Sequence, residues 1–306
     1  MNIELKDFCM SFRLPATLVA FALLAGCASA TRQSDHPAIA AHVAPASTVT
    51  AADDNLNAVA WSQTAVEHDL IYLQTYRDAE SRLLDALHDT NWDALSKADR
   101  IAPLKHLKPA VILDIDETVL DNSPYQARLV KSGGEFNEAD WAAWCEAAQA
   151  RALPGAVEFT RFAASHGIAV IYISNRAKDL DEVTLSNLRR VGLPVSGPEA
   201  FLGLGTVVAG CESSGSEKGC RRQLISRHYR VLMQFGDQLG DFLDVPANTV
   251  AGRQQVIAPY LPWIGTRWFV LPNPTYGSWE PALFNNDHGS SRELRRKQKI
   301  DAIHYE

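Results

Sequence analysis

The chain has 306 residues, 46% of them hydrophobic, and 36 acidic against 29 basic side chains leave a formal charge of −7. That is enough apolar material for one large α/β domain with an insertion. The acidic balance, with no basic tract beyond Arg292–Lys299, argues against a nucleic-acid polymer as main partner.

At the start, Arg13 precedes an apolar stretch from Leu14 that ends in Leu24-Ala25-Gly26-Cys27. A charged flank and an apolar segment of about a dozen residues mark a secretory signal, too short to span a bilayer. Its last four residues resemble a bacterial lipobox, which implies a cleaved signal over 1–26 and a lipidated Cys27. Glu4 and Asp7 suit such a leader poorly, so both Met1 and Met10 stand as starts. Residues 27–54, rich in Ala, Ser, Thr and Pro, read as a flexible tether.

From Leu56 to about Leu87, apolar residues such as Ala60, Val66, Leu70, Leu73 and Tyr76 recur at helical spacing and predict one long helix. Val111-Ile112-Leu113 then delivers Asp114 and Asp116, one residue apart, to the end of a strand. In an open α/β sheet, ligands gather outside the carboxyl ends of the strands. Strand alternation sends the two acids to opposite faces, so they converge only if the chain bends immediately after Asp114. A solvated turn carrying Asp for its turn chemistry is the plain alternative.

Residues 122–153 read as a mainly helical insertion containing Trp141 and Trp144. A second β-branched run, Ile168–Ile173, ends in Ser174-Asn175-Arg176, and Lys218 precedes the pair Arg221-Arg222. A third run, Tyr229–Phe235, leads into Gly236-Asp237-Gln238-Leu239-Gly240-Asp241. A late strand over Arg267–Leu271 is followed by Asn273-Pro274-Thr275-Tyr276-Gly277-Ser278-Trp279. Cys211 and Cys220 bracket a Gly/Ser-rich loop and are candidates for pairing in an oxidising compartment, which would steady the loop carrying Lys218. Sequence alone does not establish the connectivity. No Cys/His spacing suggests zinc, and there is no internal repeat.

Four signals in this order, each behind an apolar run, resemble the motifs of the haloacid dehalogenase (HAD) superfamily. With the lipobox, the LDNSPYQ continuation, the Arg pair after the lysine and the terminal NPxYGxW, the chain resembles the outer-membrane lipoprotein e branch of class C acid phosphatases and 5′-nucleotidases. The resemblance implies a Rossmannoid parallel sheet flanked by helices, with a small cap at about 122–153, an N-terminal helix, and a phosphatase domain over 55–306. It makes Asp114 the nucleophile and Asp116 a general acid/base, which an alkoxide leaving group requires. Ser174 would bond the transferring phosphoryl group, and Lys218 would orient Asp114. Magnesium would sit on the Asp114 carboxylate, the Asp116 backbone carbonyl and Asp237, with Asp241 and Asn175 supporting them from behind.

The same resemblance implies phosphomonoester substrates, 5′-nucleotides among them, with the base between Trp141 and Tyr276 and with Trp144 and Trp279 nearby. Trp141 and Trp144, three residues apart, fit one face of a packed helix equally well. Ala28 after the lipidated cysteine implies a protein anchored in the outer membrane of a Gram-negative bacterium, its catalytic domain facing the periplasm. A homodimer stays open. The rival readings are a lipoprotein that captures haem or nucleotides for uptake and a purely structural envelope lipoprotein, which would not need the four motifs.

Overall fold

The structure is a computed structural model that describes residues 53–212 and 215–305. The expectations for the signal, Cys27 and nearly all of the tether lie outside the described residues. Asp53 and Asp54, the last two residues of the expected tether, instead pair with Arg292 and Arg296 at 3.2 and 2.9 Å.

The long N-terminal helix is two helices, α1 (Leu56–Thr64) and α2 (Val66–His88), because Ala65 between them takes an extended conformation. The expected buried stripe is also corrected. His68, Tyr72, Tyr76, Ala79, Leu83 and Ala86 face the interior, while Val66 and Leu70 are exposed. Of the five residues that suggested the helix, only Tyr76 is buried. The large aromatic rings won the inner face, and their hydroxyls still find acceptors there.

Next come β1 (Lys108–Leu113) and β2 (Leu120–Asp121), then α3 (Ser123–Ser132), α4 (Glu138–Glu146) and β3 (Arg151–Ala152). The cap is thus two helices closed by a short antiparallel ribbon of β2 with β3. Helix α3 stops at Gly133, whose φ of 66° lies in the left-handed region. Helix α4 starts at Asn137, whose side chain accepts the Asp140 N–H at 2.9 Å.

The remaining elements are α5 (Ala156–Ser165), β4 (Ala169–Ala177), α6 (Asp181–Val191), β5 (Phe201–Leu204), α7 (Gly219–Ser226), β6 (Tyr229–Gly236), α8 (Val250–Ile257), β7 (Trp268–Val270) and α9 (Arg292–Asp301). Strands β5, β4, β1, β6 and β7 form one sheet in that order, and every pairing is parallel. Both faces are covered, so β1 can be apolar without alternation. Val111 and Leu113 pack with Tyr72, Tyr76, Phe159 and Phe235 on one side. Ala110 and Ile112 pack with Ile171, Val231, Phe242 and Trp268 on the other.

From β1 the chain moves outward through β4 to β5, then returns to place β6 on the other side of β1. This reversal opens a crevice at the carboxyl ends of the central strands, where a doubly wound sheet takes its ligand. Among the described residues no helix is long and apolar enough to cross a membrane.

Candidate active site

Three central strands deliver the acidic and hydroxyl groups to that crevice. Asp114 follows β1, and its N–H still pairs with the Phe235 carbonyl at 3.0 Å. The chain then turns at once: Ile115 O accepts the N–H groups of Val119 and Leu120 at 2.9 Å each, and Glu117 takes a left-handed φ of 54°. This is the bend that two acids one residue apart require if they are to serve one site.

Asp114, buried, forms an ion pair with Lys218. The same Lys218 ammonium donates to Asp241 Oδ1 at 2.6 Å and to the Ile173 carbonyl at 2.7 Å. Burial pushes Asp114 up to about 7 against the pull of Lys218, with Asp241 and Asp116 adding to the rise. Burial alone would depress Lys218, but Asp114 and Asp241 outweigh it and hold the ammonium above its ordinary value. Burial also raises Asp237 well above the usual carboxylate range, reinforced by Asp241 and Asp114.

Carboxylate oxygens of Asp114, Asp237 and Asp241 lie within 4.8 Å of one another. Three crowded carboxylates facing one lysine are a donor set that suits a hard divalent cation. Asp241 is already committed, since Lys218 holds Oδ1 and the Gln238 N–H donates to Oδ2 at 2.8 Å. Asp237 Oδ2 accepts from Asn273 and from Gln238, both at 2.8 Å. Among the described residues this leaves Asp237 Oδ1, and Asp114 Oδ2 apart from a long 3.5 Å contact with Thr118, as open ligand atoms. Gly236 is required here for space: a Cβ on it would stand 2.2 Å from Asp241 Oδ2.

Asp116 points into a different set of contacts. Ser174 Oγ donates to its Oδ2 at 3.1 Å, and Asn122 Nδ2 donates to its Oδ1 at 2.9 Å. Arg176, fully buried, places Nε and Nη2 on the same Oδ1. Asn175 is exposed and accepts from Arg221 at 2.7 Å, so it bonds the arginine beside the Lys218 loop.

The Lys218 loop is anchored on several sides. Arg221 donates to the Glu217 carbonyl at 3.1 Å and also to the Ser174 carbonyl, linking the lysine to the end of β4. Arg222 reaches Asp99 at 2.8 Å, Asp244 at 2.7 Å and the Gly240 carbonyl at 2.8 Å, which ties α7 to the turn after β6. Cys211 and Cys220 form a disulfide with their Cα atoms 5.6 Å apart. The free Cys145 is buried and its thiol is pushed up to about 12, so it is an inert packing residue.

Of the aromatic candidates, Trp141 is half-buried and stands between Tyr125 (5.1 Å) and the exposed Phe136 (6.4 Å), with the Arg176 guanidinium 5.6 Å from its ring. Tyr276, also half-buried, donates its hydroxyl to Glu117. Trp144 belongs to the core: it is 4% exposed and its Nε1 donates to Asn122 Oδ1 at 2.7 Å. Trp279 is partly exposed and donates to the Tyr276 carbonyl.

The sequence reading overlooked Glu117, Asn122, Arg176, Gln238 and Phe136. The four polar ones stand within or beside a quoted motif but carry no periodic signal, and Phe136 lies between α3 and α4 outside any motif.

An α/β sheet whose central strands end in a buried carboxylate paired with a lysine, beside a carboxylate cluster, suits the handling of an anionic phosphoryl group. The sequence model of the HAD superfamily subfamily IIIB, acid phosphatases, matches residues 16–279. The chain belongs to this family of phosphomonoester hydrolases. Two solved structures of the class C acid phosphatase from Bacillus anthracis, one with tungstate bound, are 33% identical in sequence. Each superposes with a TM-score of 0.71 over 82% of this chain and 97% of that one. A stem 31 kDa glycoprotein of Glycine max is 27% identical over 171 residues, which is 56% of this chain and 60% of the relative. Vegetative storage protein 1 of Arabidopsis thaliana is 28% identical over 169 residues, or 54% of each. The chain thus spans little more than half the length of these plant relatives.

Proposed function

We propose that this acid phosphatase is magnesium-dependent and hydrolyses 5′-nucleotides through an aspartyl-phosphate intermediate. The observation that carries the reading is the buried Asp114–Lys218–Asp241 assembly with Asp237 beside it. Asp114 and Asp237, with the Asp116 backbone carbonyl, would hold the metal. When bound, Mg²⁺ would neutralise charge between the nucleophile and a phosphate dianion.

The protein groups divide the remaining work. Lys218 holds the Asp114 carboxylate for in-line attack on phosphorus, and the P–O bond to the alcohol breaks as the Asp114–phosphorus bond forms. Ser174, towards the carboxyl end of the neighbouring strand, would turn its hydroxyl from Asp116 to the phosphoryl oxygens. Asp116 passes a proton to the leaving alkoxide and then takes one from the water that cleaves the acyl phosphate. Trp141 and Tyr276 offer aromatic surface for a base, a contact worth roughly 1–3 kcal/mol and tolerant of base identity.

For location, the lipobox-like Leu24–Cys27 and Ala28 support a lipid anchor in the outer membrane with the catalytic domain in the periplasm. The disulfide is in keeping with an oxidising compartment.

The test is phosphate release from p-nitrophenyl phosphate and 5′-AMP with and without Mg²⁺, with Asp114→Asn as control. Activity should need the cation and vanish in the variant. More than a few per cent residual turnover in a pure, folded Asp114→Asn preparation would defeat the nucleophile assignment.

A further inference from the structure

The ring of Tyr276 is fixed at both ends, and the fixture at its tip belongs to the loop after β1. At the backbone end, Gln238 Nε2 and Trp279 Nε1 both donate to the Tyr276 carbonyl at 3.2 Å. At the tip, the phenol donates to Glu117 Oε2. Gln238 also accepts the Ser278 N–H at 3.0 Å, and a Cβ on Gly277 would stand 2.2 Å from the Gln238 amide. The segment carrying Tyr276 therefore lies directly against the turn that carries Asp237.

Glu117 is itself held at every polar atom. Its Oε1 accepts the Asn122 N–H at 2.9 Å, and its own N–H donates to the Leu120 carbonyl at 2.9 Å. Its carbonyl accepts the Tyr72 hydroxyl, which also reaches the Pro272 carbonyl at 3.2 Å. A glutamate in the left-handed region costs conformational energy and persists where its surroundings over-determine it. Its carboxylate oxygens are engaged by a backbone N–H and a phenol, and it stands outside the cluster of Asp114, Asp237 and Asp241. Its one side-chain to side-chain hydrogen bond among the described residues is the one to Tyr276.

We infer that Glu117 is a positioning residue for substrate specificity: it sets the Tyr276 ring as a fixed wall for the base of a 5′-nucleotide. This rests on the nucleotide reading above. A free tyrosine ring would lose rotamer freedom each time a base stacked on it, whereas a ring clamped in advance does not. The clamp also joins the base wall to the peptide segment that carries Asp116, so nucleoside binding and proton donation share one rigid loop.

The experiment compares wild type, Tyr276→Phe, Glu117→Gln and the double variant on 5′-AMP and on glycerol phosphate. Tyr276→Phe keeps the ring and removes one oxygen. It should raise KM for 5′-AMP about five- to tenfold, the scale of one net hydrogen bond, and lower the 5′-AMP to glycerol phosphate ratio of kcat/KM by the same factor. Glu117→Gln puts an amide NH₂ where the phenol found an acceptor and should shift the same ratio. The double variant should be no worse than the worse single one. A wild-type KM for 5′-AMP in Tyr276→Phe overturns the clamp and leaves the nucleotide reading standing, as does full additivity in the double variant. A wild-type enzyme that does not favour 5′-AMP over glycerol phosphate overturns the nucleotide reading and this inference with it. Should Glu117→Gln fail to fold, Tyr276→Phe alone decides.

Discussion

Arg176 grips Asp116 by one oxygen, with Nε at 3.0 Å and Nη2 at 2.8 Å from Oδ1. Its guanidinium lies beneath Trp141 and also donates to Asn122 Oδ1 at 3.3 Å. The carboxylate proposed to serve the leaving group is therefore oriented from the side of the aromatic cap. A planar fork of this kind cannot be replaced by the point charge of a lysine.

Asp116→Asn should cut turnover of 5′-AMP by roughly 10²–10⁴-fold, the usual contribution of a positioned general acid. The loss on p-nitrophenyl phosphate should be smaller, because its leaving group needs less protonation. Single-turnover phosphorylation rates on both substrates check this, since they exclude the later water step. Equal losses would reject the leaving-group role.

The pH dependence of stability follows from the buried acids. Asp114 rises from 3.8 to about 7, and Asp237 and Glu117 also rise. The unfolded chain sheds these protons first, so between about pH 4 and 7 the folded state binds more protons and stability falls as pH increases. A divalent cation needs the deprotonated carboxylates, so its stabilisation should grow over the same window. Melting curves in EDTA and in excess Mg²⁺ at pH 5 and pH 7 should show the gain from metal larger at pH 7. A gain that is equal or smaller there contradicts the assignment of Asp114 and Asp237 as ligands.

Reduction of the Cys211–Cys220 bridge should loosen Lys218, two residues before Cys220. Replacing both cysteines by serine should cost roughly 2–3 kcal/mol of stability by loop entropy. It should also lower kcat by about ten- to a hundredfold, as misplacement on the scale of 1 Å does. Unfolding curves and kcat for the double serine variant test the two parts separately. An unchanged kcat would mean that Arg221 and Arg222 suffice to seat the lysine.

Trp141→Ala should raise KM for 5′-nucleotides about five- to a hundredfold through lost stacking. Glycerol phosphate should respond less. Similar losses on both substrates, with a lowered melting temperature, would return Trp141 to a packing role with Tyr125 and Phe136.

Cys27→Ala should give a chain with full phosphatase activity that no longer partitions with membranes. Complete membrane association of this variant in fractionated cells would sink the lipid-anchor reading.

Much of the fold and site was legible because strands and catalytic loops leave local signatures. The runs ending at Leu113, Ile173 and Phe235 are buried on both faces, so their apolar character is continuous, and each is followed by the polar group it presents. Asp114 and Asp237 could thus be placed just after strands from order alone, although Ser174 lies inside β4, which runs on to Ala177, and Asp241 in the turn beyond β6. The N-terminal helix was legible in existence but not in detail. Periodicity suggested a stripe through Val66, Leu70 and Tyr76, whereas packing kept Tyr76 and set Tyr72 beside it, their hydroxyls reaching the Thr118 and Glu117 carbonyls.

The amino-acid sequence by itself determined which groups stand after which strand, since backbone propensity and burial act over a few residues. Only the tertiary structure decided how those groups are paired. The order of strands around β1 brings Lys218 to Asp114 across 104 residues and Tyr276 to Glu117 across 159. Such contacts depend on side-chain reach, loop closure and the absence of a Cβ at Gly236 and Gly277, and none of these has a local period. Trp141 and Trp144, equivalent three residues apart in sequence, were separated the same way: one ring stays half-buried between Tyr125 and Phe136, and the other is buried with its Nε1 on Asn122.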